Sequence, residues 1–350
     1  MRCRTGVFCL ALWLVFGAPV LAVHDRPMTE NTPAIWLELL RRGNSSYQRR
    51  DFDQAIAEYD TAIRLNPRNA SAFIGRADAH FSKNNFDQAI ADYDEAIRLD
   101  PQQSSAFSGR GFAYLLKGDA KRAIADQDEA IRLSPKNAGA FVLRALGHIA
   151  HRDYDRAIAD CDTAVSLDPT RDLAFLLRGY GYQETRDYDR AVADYSETIL
   201  LHPKGALAFY LRGLAYAEKN DYDRAIADLA RAVQFSRDAY AVVLHYLARA
   251  RLRQANATAE LEANAAQLRQ PDWPYPIVEM FLGRRSVQAT LETASTPDQR
   301  CEAQFYVGEW HLLQGQESAA LPFFRTATDT CPIDFLEFTG AEAELKRLGR

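Results

Sequence analysis

The sequence predicts an all-α chain in which antiparallel helix pairs stack on one another as a solenoid. Three observations predict it. A 34-residue period recurs six times, small residues hold fixed places within it, and a proline closes each of the first five periods. The remaining composition fits a globular chain, with 47% hydrophobic and 25% charged residues among 350. A formal charge of −5 supplies no basic stripe and argues against nucleic acid as a partner.

The first 22 residues stand apart. Arg2 and Arg4 precede an apolar run over 7–16, which Gly17, Ala18 and Pro19 interrupt, and Val20, Leu21 and Ala22 follow. This is the layout of a secretory signal cleaved between Ala22 and Val23, because the apolar run is shorter than the ~20 residues needed to span hydrocarbon. Cleavage leaves 40 basic against 47 acidic residues, a net charge of −7. No cysteine follows Leu21–Ala22, so no lipid anchor is encoded there, and an exported protein without a stable membrane anchor is expected. Residues 23–35 read as a flexible lead-in.

Six tandem repeats are expected over 36–239. Phe52 opens FDQAIAEYDTAIRLNP, Phe86 opens FDQAIADYDEAIRLDP, and Ala120, Tyr154, Tyr188 and Tyr222 continue at intervals of 34. In the second helix of each period, Ala55, Ala89, Ala123, Ala157, Ala191 and Ala225 recur. Ala62, Ala96, Ala130, Ala164, Thr198 and Ala232 follow seven residues later, on the same helical face. Between them lie Tyr59, Tyr93, Gln127, Cys161, Tyr195 and Leu229. Asp51, Asp119, Asp153, Asp187 and Asp221 are expected N-caps. Pro67, Pro101, Pro135, Pro169 and Pro203 stop the helix. In the first helix, Leu39, Phe73, Phe107, Phe141, Phe175 and Phe209 share one register and Gly43, Ala77, Gly111, Ala145, Gly179 and Gly213 another.

Beyond 240 the register is lost. Helices are expected over 241–253 and 257–268, then short ones over 277–282 and 287–294 around Pro271, Pro274 and Pro276, making 240–300 an irregular insert. Residues 301–334 restore the pattern through Gly308, Gly315, Ala320, Phe324, Ala327 and Pro332. Within 335–350, a helix over 342–348 caps the stack.

The pattern of aromatic, small residue, aromatic, then Ala, aromatic, Ala, Pro resembles the tetratricopeptide repeat (TPR) family across six consecutive periods. That resemblance implies a right-handed superhelix whose concave side is lined by the first helices, and a role in holding other proteins or peptides. The stretches DWPYPIVEMFLG (272–283), CEAQFYVGEWHLLQG (301–315) and FLEFTGAEAELKRL (335–348) are similar to the end of NlpI-type periplasmic TPR proteins. This second likeness implies a bacterial periplasmic scaffold for cell-wall hydrolases or a processing protease. A self-associating structural protein, including a homodimer, is an open alternative. An enzyme with an unrecognised site in 272–285 is another.

No phosphate loop, nucleophile elbow, zinc-protease motif or CxxC pair is present, so no catalytic residue, metal or cofactor is expected. His148 and His151 stand one turn apart, but His148 fills an aromatic place of the repeat and reads as a packed side chain. Arg64, Arg98 and Arg132 are expected to pair with Asp60, Asp94 and Asp128, four residues before each. Arg42, Arg76, Arg110, Arg144, Arg178 and Arg212 form a second series, read as stems packed between helices with heads paired to acids of adjacent helices. The expected partner-binding groove comprises Phe112, Leu115, Leu116, Val142, Leu146, Ile149, Leu176, Tyr180, Tyr210 and Leu214, forming an exposed apolar strip unless helices of the chain itself fill it. Cys161 should be a buried, inert thiol. Cys301 and Cys331 stand at neighbouring ends of one helix pair, and both a bridge and two free thiols are open.

Overall fold

The computed structural model describes residues 35–268, 272–332 and 335–349. The expected cleavage site at Ala22 and Val23, and residues 23–34 of the lead-in, lie outside them. Among the described residues there are nineteen α-helices and no strand, distributed over two compact bodies, 35–201 and 202–349.

The first body holds five helix pairs. These are α1 (Ile35–Gln48) and α2 (Phe52–Leu65), α3 (Ala70–Ser82) and α4 (Phe86–Leu99), α5 (Ser104–Leu116) and α6 (Ala120–Leu133), α7 (Ala138–Ala150) and α8 (Tyr154–Leu167), and α9 (Asp172–Glu184) and α10 (Tyr188–Leu201). Four of these five second helices begin where an aspartate side chain accepts from an orphan backbone N–H, and only Asn85, before α4, makes no such bond. Asp51 takes the Gln54 amide at 3.2 Å, Asp119 that of Arg122 at 3.0 Å and Asp187 that of Arg190 at 3.1 Å. Each ends two residues before the proline. The turn inside each pair uses one left-handed residue, at Arg50, Asn84, Gly118, Arg152 and Arg186, with φ between 60° and 83°. Only Gly118 takes that conformation without Cβ strain.

The alanines carry the packing. Ala55, Ala62, Ala89, Ala96, Ala130, Ala157, Ala164 and Ala191 are all fully buried, which lets neighbouring helix backbones approach closely.

The arginine series fastens one pair to the next. Arg76 on α3 donates Nε and Nη2 to Asp92 on α4, at 2.8 and 2.5 Å, and Nη1 to Asp60 on α2, at 2.5 Å. Arg110 repeats this with Asp126 (2.9 and 2.6 Å) and Asp94 (2.6 Å). Arg144 does so with Asp160 (2.9 and 2.6 Å) and Asp128 (2.7 Å), and Arg178 with Asp194 (2.8 and 2.7 Å) and Asp162 (2.7 Å). Every rung therefore joins an acid sixteen residues ahead, in its own pair, to one sixteen residues behind, in the previous pair. The guanidinium lies over the phenylalanine three residues earlier, 5.4 to 5.6 Å from the ring centre in these four. Hydrogen bonds to the aspartates push these guanidinium groups above their already high range. Burial raises the Asp126 and Asp194 carboxyls while Arg110 and Arg178 pull them back. Two bonds to each carboxylate fit the ionised pair.

This arrangement corrects the expected pairing within second helices. Asp60, Asp94 and Asp128 are taken by the arginine of the following pair. Arg98 and Arg132 turn instead to Glu95 and Glu129, at 2.8 and 2.7 Å, and Arg64 to the Thr61 hydroxyl at 2.7 Å.

The second body opens with the sixth pair, α11 (Ala206–Glu218) and α12 (Tyr222–Ser236), in which Arg212 meets Asp228 at 2.7 and 2.8 Å. Next come α13 (Ala239–Arg251), α14 (Ala257–Ala265), α15 (Tyr275–Phe281), α16 (Val287–Thr293), α17 (Pro297–Leu313), α18 (Glu317–Thr330) and α19 (Leu336–Arg347). The proline-rich stretch is not peripheral. Ile277, Val278 and Met280 are at most 1% exposed and share one core with Val242, Leu261, Tyr306 and Phe324. Helix α17 starts four residues before the expected 301, because Thr296 and Gln299 form a capping box with Pro297 in the first turn. The last helix is also longer than the expected 342–348.

Arg144→Leu should lower stability by about 3 kcal/mol, since Asp160 is left buried without its two bonds. Arg156→Leu, at an exposed arginine paired with Asp153, should barely move the urea midpoint. Equilibrium unfolding of both variants checks this contrast.

Candidate functional site

The residues of the expected groove come from the first helices α5, α7 and α9 of the first body and α11 of the second. Leu115, Leu116, Val142, Leu146, Ile149, Leu176, Tyr180 and Leu214 are all buried, between 1% and 9% exposed, and only Phe112 and Tyr210 keep partial exposure. The long exposed apolar strip is therefore not what this structure presents. In the first body consecutive first helices touch, α5 against α7 and α7 against α9, so residues on their flanks fill the seams. Tyr180 packs edge-on to Tyr154, with ring centres 6.3 Å apart.

One register of the first helices does open. Its members in the first body are Asn44, Asp78, Phe112, Leu146 and Tyr180. The first three are half-buried and the last two closed. Asn44 and Asp78, polar members of an otherwise apolar series, are its accessible end. Each receives a phenol that passes through the helix layer from behind. Tyr59 on α2 donates to Asn44 Oδ1 at 2.7 Å, and Tyr93 on α4 to Asp78 Oδ1 at 2.5 Å. The phenols reach through because the next first helix has glycine opposite them. A Cβ on Gly75 would lie 2.6 Å from Tyr59 Cζ, and one on Gly109 2.4 Å from Tyr93 Cζ. Where the second-helix residue is Gln127 or Cys161, the position sixteen later is Leu143 or Leu177. The signal that could have marked the site was thus the pairing of tyrosine with glycine, two repeats against the rest.

The strip has mixed chemistry. Tyr47 bonds to Ser82 at 3.1 Å, and Phe81 and Phe112 lie 5.0 Å apart between ring centres. Desolvation pushes the Asp78 carboxyl up to about 6, against the pull of the Tyr93 hydroxyl. An anionic acceptor at neutral pH, an amide and an aromatic edge are thereby set one repeat apart along neighbouring helices. This is suited to holding an extended chain by hydrogen bonds and apolar contact rather than to bond breaking.

The remaining candidates fall into place. His148 is buried, its Nε2 3.7 Å from Asp160, and burial lowers its pKa, whereas His151 is exposed at the helix end. Among the described residues no group of three or more His, Cys, Asp or Glu is arranged to hold a metal ion. Cys161 is fully buried, and burial pushes its thiol well above the usual range. Cys301 and Cys331 are joined in a disulfide, with Cα atoms 5.0 Å apart. In 272–285 Asp272 is exposed, Tyr275, Ile277 and Val278 enter the core, Trp273 donates to Glu302 at 2.6 Å, and Arg285 donates to Glu279 at 2.8 Å.

Repeated antiparallel helix pairs of this kind define a helical repeat protein. The sequence profile of the tetratricopeptide repeat matches residues 40–104, 75–138, 109–172 and 176–241. The chain belongs to the tetratricopeptide repeat family, whose members are generally protein-interaction scaffolds. Among solved structures, a tetratricopeptide repeat protein from Parabacteroides merdae is 18% identical with a TM-score of 0.53, over 71% of this chain and 98% of that one. PilF of Pseudomonas aeruginosa is 16% identical with a TM-score of 0.54, over 59% of this chain and 94% of that one. Both likenesses concern the fold. YrrB, described as a TPR protein with an unusual peptide-binding site, is 26% identical over 52% of this chain and 94% of its own, with a TM-score of 0.44.

Opening the Cys301–Cys331 bond, which closes a 30-residue separation, should remove ~3–4 kcal/mol. Thermal melts with and without reductant check the loss. Cys161 should stay unlabelled by maleimide until the first body unfolds.

Proposed function

We propose that the protein is a non-catalytic, exported scaffold that holds extended segments of other proteins on the first helices of its opening three repeats. The observation that carries this reading is the register at Asn44, Asp78 and Phe112, half-open there and closed from Leu146 onward. A segment lying across it would offer donors, from its backbone or a basic side chain, to Asp78 and Asn44. An apolar side chain would meet Phe112.

The compartment we propose is the bacterial periplasm. Support comes from the signal-like layout before Val23 and from a disulfide of a kind that persists in oxidising surroundings. The likeness of the C-terminal stretches to NlpI-type proteins makes cell-wall hydrolases or a processing protease the proposed clients.

The test is affinity capture from a periplasmic fraction. Asp78→Lys combined with Phe112→Glu is expected to cut recovery of captured partners about tenfold or more, as loss of one central contact does at such surfaces. Unchanged recovery with a native circular dichroism spectrum would sink the strip as the site. Mature protein isolated from cells should begin at Val23, and an intact Met1 on cytosolic protein would overturn the export reading.

A further inference from the structure

In the second body, α17 and α19 carry glutamates at matching seven-residue intervals, Glu302 and Glu309 on one, Glu337 and Glu344 on the other. Seven residues is about two turns, so each pair runs along one helical face. All four are buried, from 1% to 8% exposed. They form two levels between the helices, and the levels are differently furnished.

At the level of Glu309 and Glu344 the charge is neutralised. Arg251 from α13 donates Nη2 to both Glu309 oxygens at 2.8 and 2.9 Å and lies 2.6 Å from Glu344, while Arg347 adds a 2.7 Å bond to Glu344. At the level of Glu302 and Glu337 the partners carry no positive charge. Tyr240 from α13 and the Trp273 indole donate to Glu302 Oε2 at 2.8 and 2.6 Å, and Tyr306 from α17 donates to Glu337 Oε1 at 2.9 Å. The other titratable groups whose fields reach this level are Tyr210 on α11, Asp238 at the start of α13 and Asp298 on α17. Among the described residues no lysine, arginine or histidine lies within ion-pair distance of Glu302 or Glu337.

Two desolvated carboxylates acting on each other without a cation do not both stay ionised. Glu302 accepts from Tyr240 and Trp273, and Glu337 from Tyr306 and its own backbone N–H; at Glu337 burial and the Glu302 charge outweigh those donors, so the proton belongs on Glu337. We propose that the Glu302–Glu337 pair is a protonation-dependent clamp, whose retained proton holds α19 against α17 and whose loss lets α19 leave the helix pair. Burial, then the Glu302 charge, push Glu337 up to about 8. An exposed glutamate titrates near ~4.3. A folded value raised in this way makes docking strongest below the exposed value, and the advantage is lost as pH rises through the folded value. At the Arg251 level burial also raises Glu309, but the Arg251 cation pulls it back, so this level serves as the cation-paired comparison.

The experiment is a pH titration of the full mature chain with ¹³C at the glutamate carboxyls, from about pH 5 to about pH 10, read beside amide protection factors. One glutamate carboxyl is expected to titrate near 8 and to be missing from Glu337→Gln. Protection of α19, relative to α18, is expected to fall about a hundredfold between pH 6 and pH 9.5 in the wild type and to stay within about twofold in Glu337→Gln. A wild type with no carboxyl titrating above about pH 6.5, or an equal fall in the variant, overturns the clamp. Glu302→Gln guards against a variant that fails to fold. It removes the like charge and is expected to move the Glu337 midpoint down by about one unit or more, whereas an unmoved midpoint overturns the proposal.

Discussion

The bridging guanidinium is the constraint on which the first body depends. A helix pair cannot bury both its faces alone, so its stability is partly that of its contact with a neighbour. Alanine at the contacts gives close approach but little directional preference. The arginine rungs add that preference, because one planar donor group must satisfy an acid in its own pair and an acid in the pair before it, with a phenylalanine beneath. A slip by one residue would leave a buried carboxylate such as Asp160 unpaired. The register of stacking is thereby specified electrostatically as well as sterically.

That regularity explains why so much of the fold was legible. A period of 34, caps at Asp51, Asp119 and Asp187 and stops at each proline are local facts, and local facts survive the absence of coordinates. The reading of Arg76 and its equivalents as stems between helices with paired heads also came from local pattern. Which acids they take did not, because one partner lies in a different pair and no helical spacing links the two. The Cys301–Cys331 bond was open from sequence for a similar reason: helix ends can be placed side by side, but a bond requires Cα atoms near enough, here 5.0 Å.

Whether the groove residues are open or covered was left undecided by the sequence because accessibility is a property of neighbours. Leu146 and Phe112 occupy the same register and are both apolar, yet one is 1% exposed and the other half-open. Nothing in either residue distinguishes them. Tyr93 with Gly109 accompanies the open end and Cys161 with Leu177 the closed one, so the bulk sits on different helices in the two. The C-terminal glutamates were passed over for the opposite reason. They look like ordinary surface acids until α13, α17 and α19 close around them.

The disulfide between Cys301 and Cys331 lies near the chain's end, across the α17–α18 hairpin. Tying the mouth of that hairpin shut keeps α17 and α18 side by side even when their packing loosens. A protease that cuts the turn between them would leave two pieces still joined, which only a reductant would part.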